Sequence, residues 1–294
     1  MKPTSLPRTV FLLMVFCLTF FAALMFAPGA GAQNKDEITF FPKCECEIFG
    51  PLVADPKEPR FFASIHYFDN DFRDSFTGAS VGYGETFGLI RKNIAPDHIL
   101  QLSIRGGLFS QFDMETSSYN LLNSDYTIGA LLTYRYRQFA LRLRAYHQSS
   151  HLGDEEAKKN PELLETATGF DYEAVDLLAA WNPDKFKLYA GPHFLVKRNP
   201  SDIDRWGYQA GVEYRGTKEI ILGSFPVAGI DIKGFQDINW TPAYSLKAGV
   251  DFQNLGTSGR SIQIMAEYYN GFIPFGHYYD YDMESYGLGV YFSF

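Results

Sequence analysis

His147-Gln148-Ser149 is the segment of this chain whose residue types and spacing could do chemistry. An imidazole within reach of a serine hydroxyl can take its proton and make the oxygen a nucleophile. Residues two apart on a β-strand share a face. Counting on from Phe139, Leu141, Leu143 and Ala145, both His147 and Ser149 fall on the apolar row, opposite Arg142, Arg144 and Tyr146. On a membrane-embedded strand, that row would carry the pair at headgroup depth, against the ester bonds of phospholipid or lipid A. The plainer account is that His147, Gln148 and Ser149 are polar residues marking a membrane edge. That account is preferred, because no third residue evidently orients the imidazole. Asn160 follows downstream, but in the charged loop 153–160.

Other clusters carry less. Asp154, Glu155 and Glu156 offer oxygens to a hard cation, but their spacing is not that of a calcium loop, and Lys158 and Lys159 follow at once. Gly82-X-Gly84 has no helix start or basic residue after it to hold a phosphate, and reads as a strand allowing barrel curvature. Cys44 and Cys46 are too close for an easy bridge on a strand and have no partners for zinc. No cofactor or metal is expected.

The elements that would position His147 and Ser149 are short alternating segments broken by turn residues. From Phe61 onward about twelve can be counted, near 61–67, 78–90, 100–105, 126–135, 139–146, 172–181, 186–196, 206–214, 225–233, 244–252, 262–268 and 286–294. The connections alternate: 69–75, 111–124, 150–169, 198–205, 234–241 and 271–283 are long, whereas those such as 137–138 and 182–184 are mostly short. That asymmetry, with an even strand number, predicts an all-β, antiparallel up-and-down transmembrane β-barrel. Arg105, Arg135, Arg142, Arg144, Glu213, Arg215, Asp231, Lys247, Asp251 and Glu267 lie opposite the apolar rows, so they would face the lumen as a mixed-sign network. A narrow or closed interior follows. Trp181, Trp206 and Trp240 sit near strand ends, where an interfacial belt belongs.

Both ends of the chain support export to a membrane. Lys2 and Arg8, the apolar run 10–26 and the small residues Ala30 and Ala32 read as a secretory leader cleaved after Ala32. Removing it leaves 24 basic and 34 acidic residues, which argues against a nucleic-acid surface. Residues 33–59 carry Pro42, Pro51, Pro56 and Pro59, too many for a ladder strand; they read as a periplasmic lead-in that could also fold up into the lumen. The barrel domain is then 60–294. At its end Tyr286, Leu288, Val290, Phe292 and Phe294 form an unbroken apolar row, opposite Gly287, Gly289, Tyr291 and Ser293. This is similar to the C-terminal signal of bacterial outer-membrane proteins, which implies insertion by the barrel-assembly machinery.

Three stretches resemble a Gram-negative family known as domain of unknown function 1207. They are Phe49-Gly50-Pro51-Leu52-Val53-Ala54-Asp55-Pro56-Lys57-Glu58-Pro59-Arg60-Phe61, then Ser149-Ser150-His151-Leu152-Gly153-Asp154-Glu155, then Glu267-Tyr268-Tyr269-Asn270-Gly271 through Gly276 to the last strand. The resemblance implies an outer-membrane location and architecture, and no activity. Locally, His147-Gln148-Ser149 is similar to the His-X-Ser-Asn-Gly motif of outer-membrane phospholipase A, also a twelve-stranded barrel, and to lipid A deacylases; here Ser150-His151 stand where that motif has Asn-Gly. The expected role is therefore non-enzymatic, as a structural or surface-interaction barrel or a narrow conduit in the cell outer membrane. Its surroundings would be outer-membrane lipid and lipopolysaccharide. Lipid ester hydrolysis by His147 and Ser149 is the alternative.

Overall fold

The computed structural model describes residues 38–42, 48–159, 170–255 and 260–293. The leader with Ala30 and Ala32, Cys44, Cys46, Asn160 and Phe294 lie outside the described residues. The described strands are β1 (Ile38–Phe40), β2 (Phe61–Asn70), β3 (Phe76–Ala95), β4 (His98–Asp113), β5 (Leu121–Tyr136), β6 (Phe139–Leu152), β7 (Phe170–Trp181), β8 (Phe186–Asn199), β9 (Trp206–Arg215), β10 (Phe225–Phe235), β11 (Ala243–Leu255), β12 (Arg260–Phe272) and β13 (Asp282–Ser293). Each of β2 to β13 pairs antiparallel with the next. The ring of twelve closes where β13 meets β2, from Met283↔Asn70 to Phe292↔Phe61. β1 is an addition that the sequence did not suggest. It pairs with residues 90–92 of β3, beyond Gly82, the last β3 residue that β2 covers.

The strands run further than their apolar rows. β4 reaches Asp113 and β5 begins at Leu121, so the loop between them is shorter than 111–124. The added stretches hold Ser110, Gln111, Asn123 and Ser124, which interrupt the apolar alternation. Pairing uses backbone groups, so the ladder continues through them. At the opposite end the turns are tight. Asp97 and Arg137, each in a two-residue turn, take positive φ values of 64° and 52°. The connection 216–224 breaks the pattern, because it is long at the otherwise short-turn end.

Polarity is inverted relative to a globular core. Ile65, Tyr67, Ile104, Ile128, Leu141, Leu177, Leu188, Leu246, Ile264 and Leu288 point outward and are exposed. Inward on the wall lie buried Ser64, Arg105, Arg142, Glu213, Asp231, Lys247 and Asp251. Exposed aromatics collect at both rims: Phe139, Trp181 and Phe186 at the turn end, Trp206, Trp240 and Tyr286 at the loop end. Such rims and an apolar outer wall are what a barrel set in a bilayer needs.

The lumen is filled from both sides. Residues 48–60 fold up inside the ring, with Leu52, Val53 and Ala54 fully buried. The wall makes room for them with glycine. A Cβ on Gly84 would lie 2.7 Å from Pro59 Cβ, and one on Gly229 would lie 3.1 Å from Val53 Cβ. Gly84 therefore serves close packing of the plug, beyond the curvature expected of its strand. From the loop end, residues 273–281 turn inward and form a roof. Phe275 and Tyr278 pack with Phe68, Phe76, Leu122 and Tyr269 in an apolar cluster inside the mouth. Asp154, Glu155 and Glu156 begin a short helix α1 (Asp154–Lys159), in place of the solvated loop expected of them. Glu156 is buried there and accepts a hydrogen bond from the Tyr278 hydroxyl at 3.1 Å, which ties helix to roof.

Candidate functional site

The plug is held chiefly by charge. Its Glu58 is buried between two wall arginines, with Arg105 Nη1 at 2.5 Å from Oε1 and Arg142 Nη1 at 3.2 Å. Burial works against the Glu58 charge, but the two guanidinium groups prevail and hold the carboxyl below its usual range. Asp55 accepts from Lys233 at 2.6 Å and from Gln209 at 3.0 Å. Lys57 reaches Asp125 and donates to Gln148 at 2.8 Å. Backbone is gripped as well: Val53 N–H donates to Glu213 Oε1 at 2.8 Å, and Lys187 Nζ donates to the Phe49 carbonyl at 2.5 Å. The Phe49 ring lies beneath Arg142, whose Cζ is 4.8 Å from the centroid.

The expected lumen network is thus present, but completed by the lead-in. Arg144 pairs with Asp176 at 2.6 Å and Lys247 with Glu267 at 3.4 Å across the wall, whereas Arg105 and Arg142 find their carboxylate on the plug. Arg135 takes no part; its Nε donates to the Arg137 carbonyl at the turn end. The roof bears on the same region. Gly276 N–H donates to Asp125 at 3.2 Å, and His277 Nε2 lies 3.2 Å from the Ser150 carbonyl. Between plug and roof lie small cavities, two adjoining ones of about 90 Å3 each and one of about 40 Å3 against Pro56 and Phe275, all too small for an open channel.

His147 and Ser149 lie on the outward row of β6 near the loop end, both half-buried. Across the ladder, His147 stands opposite Ile128 on β5 and Glu173 on β7, and Ser149 opposite Tyr126 and Asp171. Directly opposite residues share a face, so two carboxylates flank the pair. Glu173 is buried, and its Oε2 has no hydrogen-bond partner among the described residues; Lys197 of β8 is 4.0 Å from Oε1. Among the described residues no hydrogen bond joins His147 to Ser149 or to Glu173. Glu173 is the neighbour across the ladder that sequence reasoning missed. It is 26 positions from His147, and only the strand register brings it alongside.

On β13, Tyr286, Leu288 and Phe292 are exposed outward and Val290 shares their row, while Tyr291 turns inward beneath Arg60. The row stands at the seam, against Tyr67, Ile65, Ala63 and Phe61 of β2. The closed ring, its inverted polarity and this seam together define the architecture. A family described as protein of unknown function (DUF1207) matches residues 32–294. The chain belongs to that family. The comparison with curated proteins gives no match. Among solved structures, outer membrane phospholipase A from Escherichia coli is similar at 13% identity and a TM-score of 0.59, over 84% of this chain and 95% of that one. A Salmonella typhi outer membrane phospholipase dimer with bound calcium is similar at 10% identity and a TM-score of 0.55, over 80% of this chain and 91% of its own. At such identity the likeness is one of fold: a closed barrel of the outer-membrane type.

Proposed function

We propose that this DUF1207 protein is an integral barrel of the cell outer membrane, closed at rest by its own residues 48–60, that works through its surfaces and not as an open pore. The observation that carries this reading is Glu58 buried between Arg105 and Arg142. It fastens the plug to β4 and β6 in the middle of the ring. In this reading the short turns face the periplasm, the roof faces outward, and the apolar wall meets lipid and lipopolysaccharide. The barrel-assembly machinery inserts the chain through β13. The test is conductance in planar bilayers. The refolded protein is expected to give no steady steps, and a stable ohmic current from the unmodified chain would overturn the closed-barrel reading.

A second reading has its own support: lipid ester hydrolysis on the outer wall. His147 and Ser149 stand on the lipid-facing row with Glu173 opposite the imidazole. A buried carboxylate there could hold the ring in the tautomer that accepts the serine proton. Catalytic hydrogen bonds often tighten only once substrate is bound. The fold neighbours that are phospholipases make phospholipid the first substrate to try. Release of fatty acid from phospholipid or lipopolysaccharide by the refolded protein, abolished in Ser149→Ala, would establish this activity. Equal release by both proteins would dismiss it.

A further inference from the structure

The two adjoining cavities between plug and roof differ in chemistry. The outer one, of about 90 Å3, is lined mainly by apolar side chains, among them Phe170, Leu195, Ile203, Phe235 and Ile273. Exposed Asp204 lies on its rim, which places its entrance at the loop end. The inner one, also of about 90 Å3, is lined by Asp55 and Lys57 of the plug and by Arg144, Asp176, Gln209 and Lys233 of the wall. Gln148, Tyr172, His193, Phe235, Phe272 and Pro274 line both, so the two chambers share a boundary. Their joint volume exceeds the about 150 Å3 of an apolar cavity that takes up benzene. Water suits the outer chamber poorly, because a buried water needs about two to four polar partners and the lining there offers few.

Charge around the inner chamber is already matched. Lys57 pairs with Asp125, Arg144 with Asp176 at 2.6 Å, and Lys233 with Asp55 at 2.6 Å. An ionic guest would bring an unmatched charge into this ring. What the pairs leave over is donors. Gln148 is 3% exposed and turned into the lumen. Its Oε1 accepts from Lys57, which can only donate, so its Nε2 is left without a partner among the described residues. Arg144 commits Nε and Nη2 to Asp176, and its Nη1 has no partner among the described residues. A guest oxygen that accepts from these donors, carried on an apolar body, suits both chambers at once. A hydrocarbon would fill the outer chamber and leave the donors unmet.

We propose that the two chambers form one binding site for a small neutral molecule: a single ring or short chain seated among Phe170, Ile203 and Ile273, with one acceptor oxygen toward Gln148 and Arg144. The plug lines the inner half, so the site rests on the closed barrel proposed above. The test is methyl NMR of the refolded, isoleucine-labelled full chain in detergent micelles. It is titrated with acetophenone and, at matched free concentration, with ethylbenzene, which has nearly the same shape and no oxygen. Acetophenone should shift the Ile203, Ile238 and Ile273 methyls saturably, with an affinity about tenfold above that of ethylbenzene, as one buried hydrogen bond gives. Gln148→Glu keeps the acceptor for Lys57 and puts an oxygen in place of the free donor. It should weaken acetophenone about tenfold and leave ethylbenzene unchanged. Unchanged heat-modifiable mobility on electrophoresis shows that the variant is folded. No saturable shift at these methyls, equal affinity for the two compounds, or unchanged acetophenone affinity in Gln148→Glu overturns the assignment. Steady conductance by the unmodified chain overturns the closed barrel and this site with it, whereas a silent barrel with any of those three results overturns this site alone.

Discussion

Replacing Glu58 by Ala should release the plug while leaving the barrel intact. Glu58 is 2% exposed and makes one hydrogen bond of 2.5 Å to Arg105 and two, of 3.2 and 3.3 Å, to Arg142. Arg142 is fully buried, and among the described residues Glu58 is its sole carboxylate partner. Removing one partner of a buried ion pair costs about 3–5 kcal/mol, because the remaining charge stays desolvated. The unplugged state gives Arg142 another way out, since with residues 48–60 withdrawn water can reach it. The same 3–5 kcal/mol then appears as a shift of roughly 10²- to 4 × 10³-fold toward the unplugged state. The twelve-strand ladder does not include Glu58, so closure at β13 and β2 should persist. Two measurements read this out: hydrogen exchange at the Val53 amide, and single-channel conductance. Faster exchange by about that factor, with steps absent from the unmodified protein, is expected. Unchanged Val53 protection in a variant with normal heat-modifiable mobility would refute the argument that Glu58 fastens the plug.

Acid should act in the same direction. Because the folded Glu58 carboxyl lies below its ordinary value, its stabilising contribution is complete above about pH 4.5 and disappears as pH falls through the folded value; conductance that rises on acidification below that point, and is reversed on neutralisation, would show it. Gly84→Val should unseat the plug sterically, since its Cβ would stand 2.7 Å from Pro59 Cβ; overpacking of this kind costs about 1–3 kcal/mol, and limited proteolysis at residues 48–60 should become faster in the folded variant. Deleting Phe294, or placing Asp at Val290 on the outward row of β13, should lower the amount of barrel recovered in the outer membrane before it alters any activity; normal membrane levels would show that the last strand has been misread.

Much of the barrel is local in origin. Side chains two apart share a face, so the row Tyr286, Leu288, Val290, Phe292 and the opposed charges Arg142 and Arg144 announce their faces without knowledge of any partner strand. The alternation of long loops with tight turns adds the up-and-down order. Placement of His147 and Ser149 on the outer wall follows by the same counting. Strand ends were less legible, because Ser110, Gln111, Asn123 and Ser124 keep pairing after the apolar pattern stops.

The remaining features lie across the ladder or across the lumen. Glu173 meets the position opposite His147 through the β6–β7 register, and register depends on how the whole ring closes. The lead-in has prolines and no period, so its own residues do not say whether it hangs below the barrel or fills it. Burying Glu58 is favourable only where Arg105 and Arg142, 47 and 84 positions away, converge on one point. The roof at Phe275 and Tyr278 has the same origin, since its apolar partners Phe68, Phe76 and Leu122 come from distant strands. The wall is written in the two-residue repeat of each strand; what closes the wall depends on charges and apolar groups that become neighbours only after twelve strands have joined.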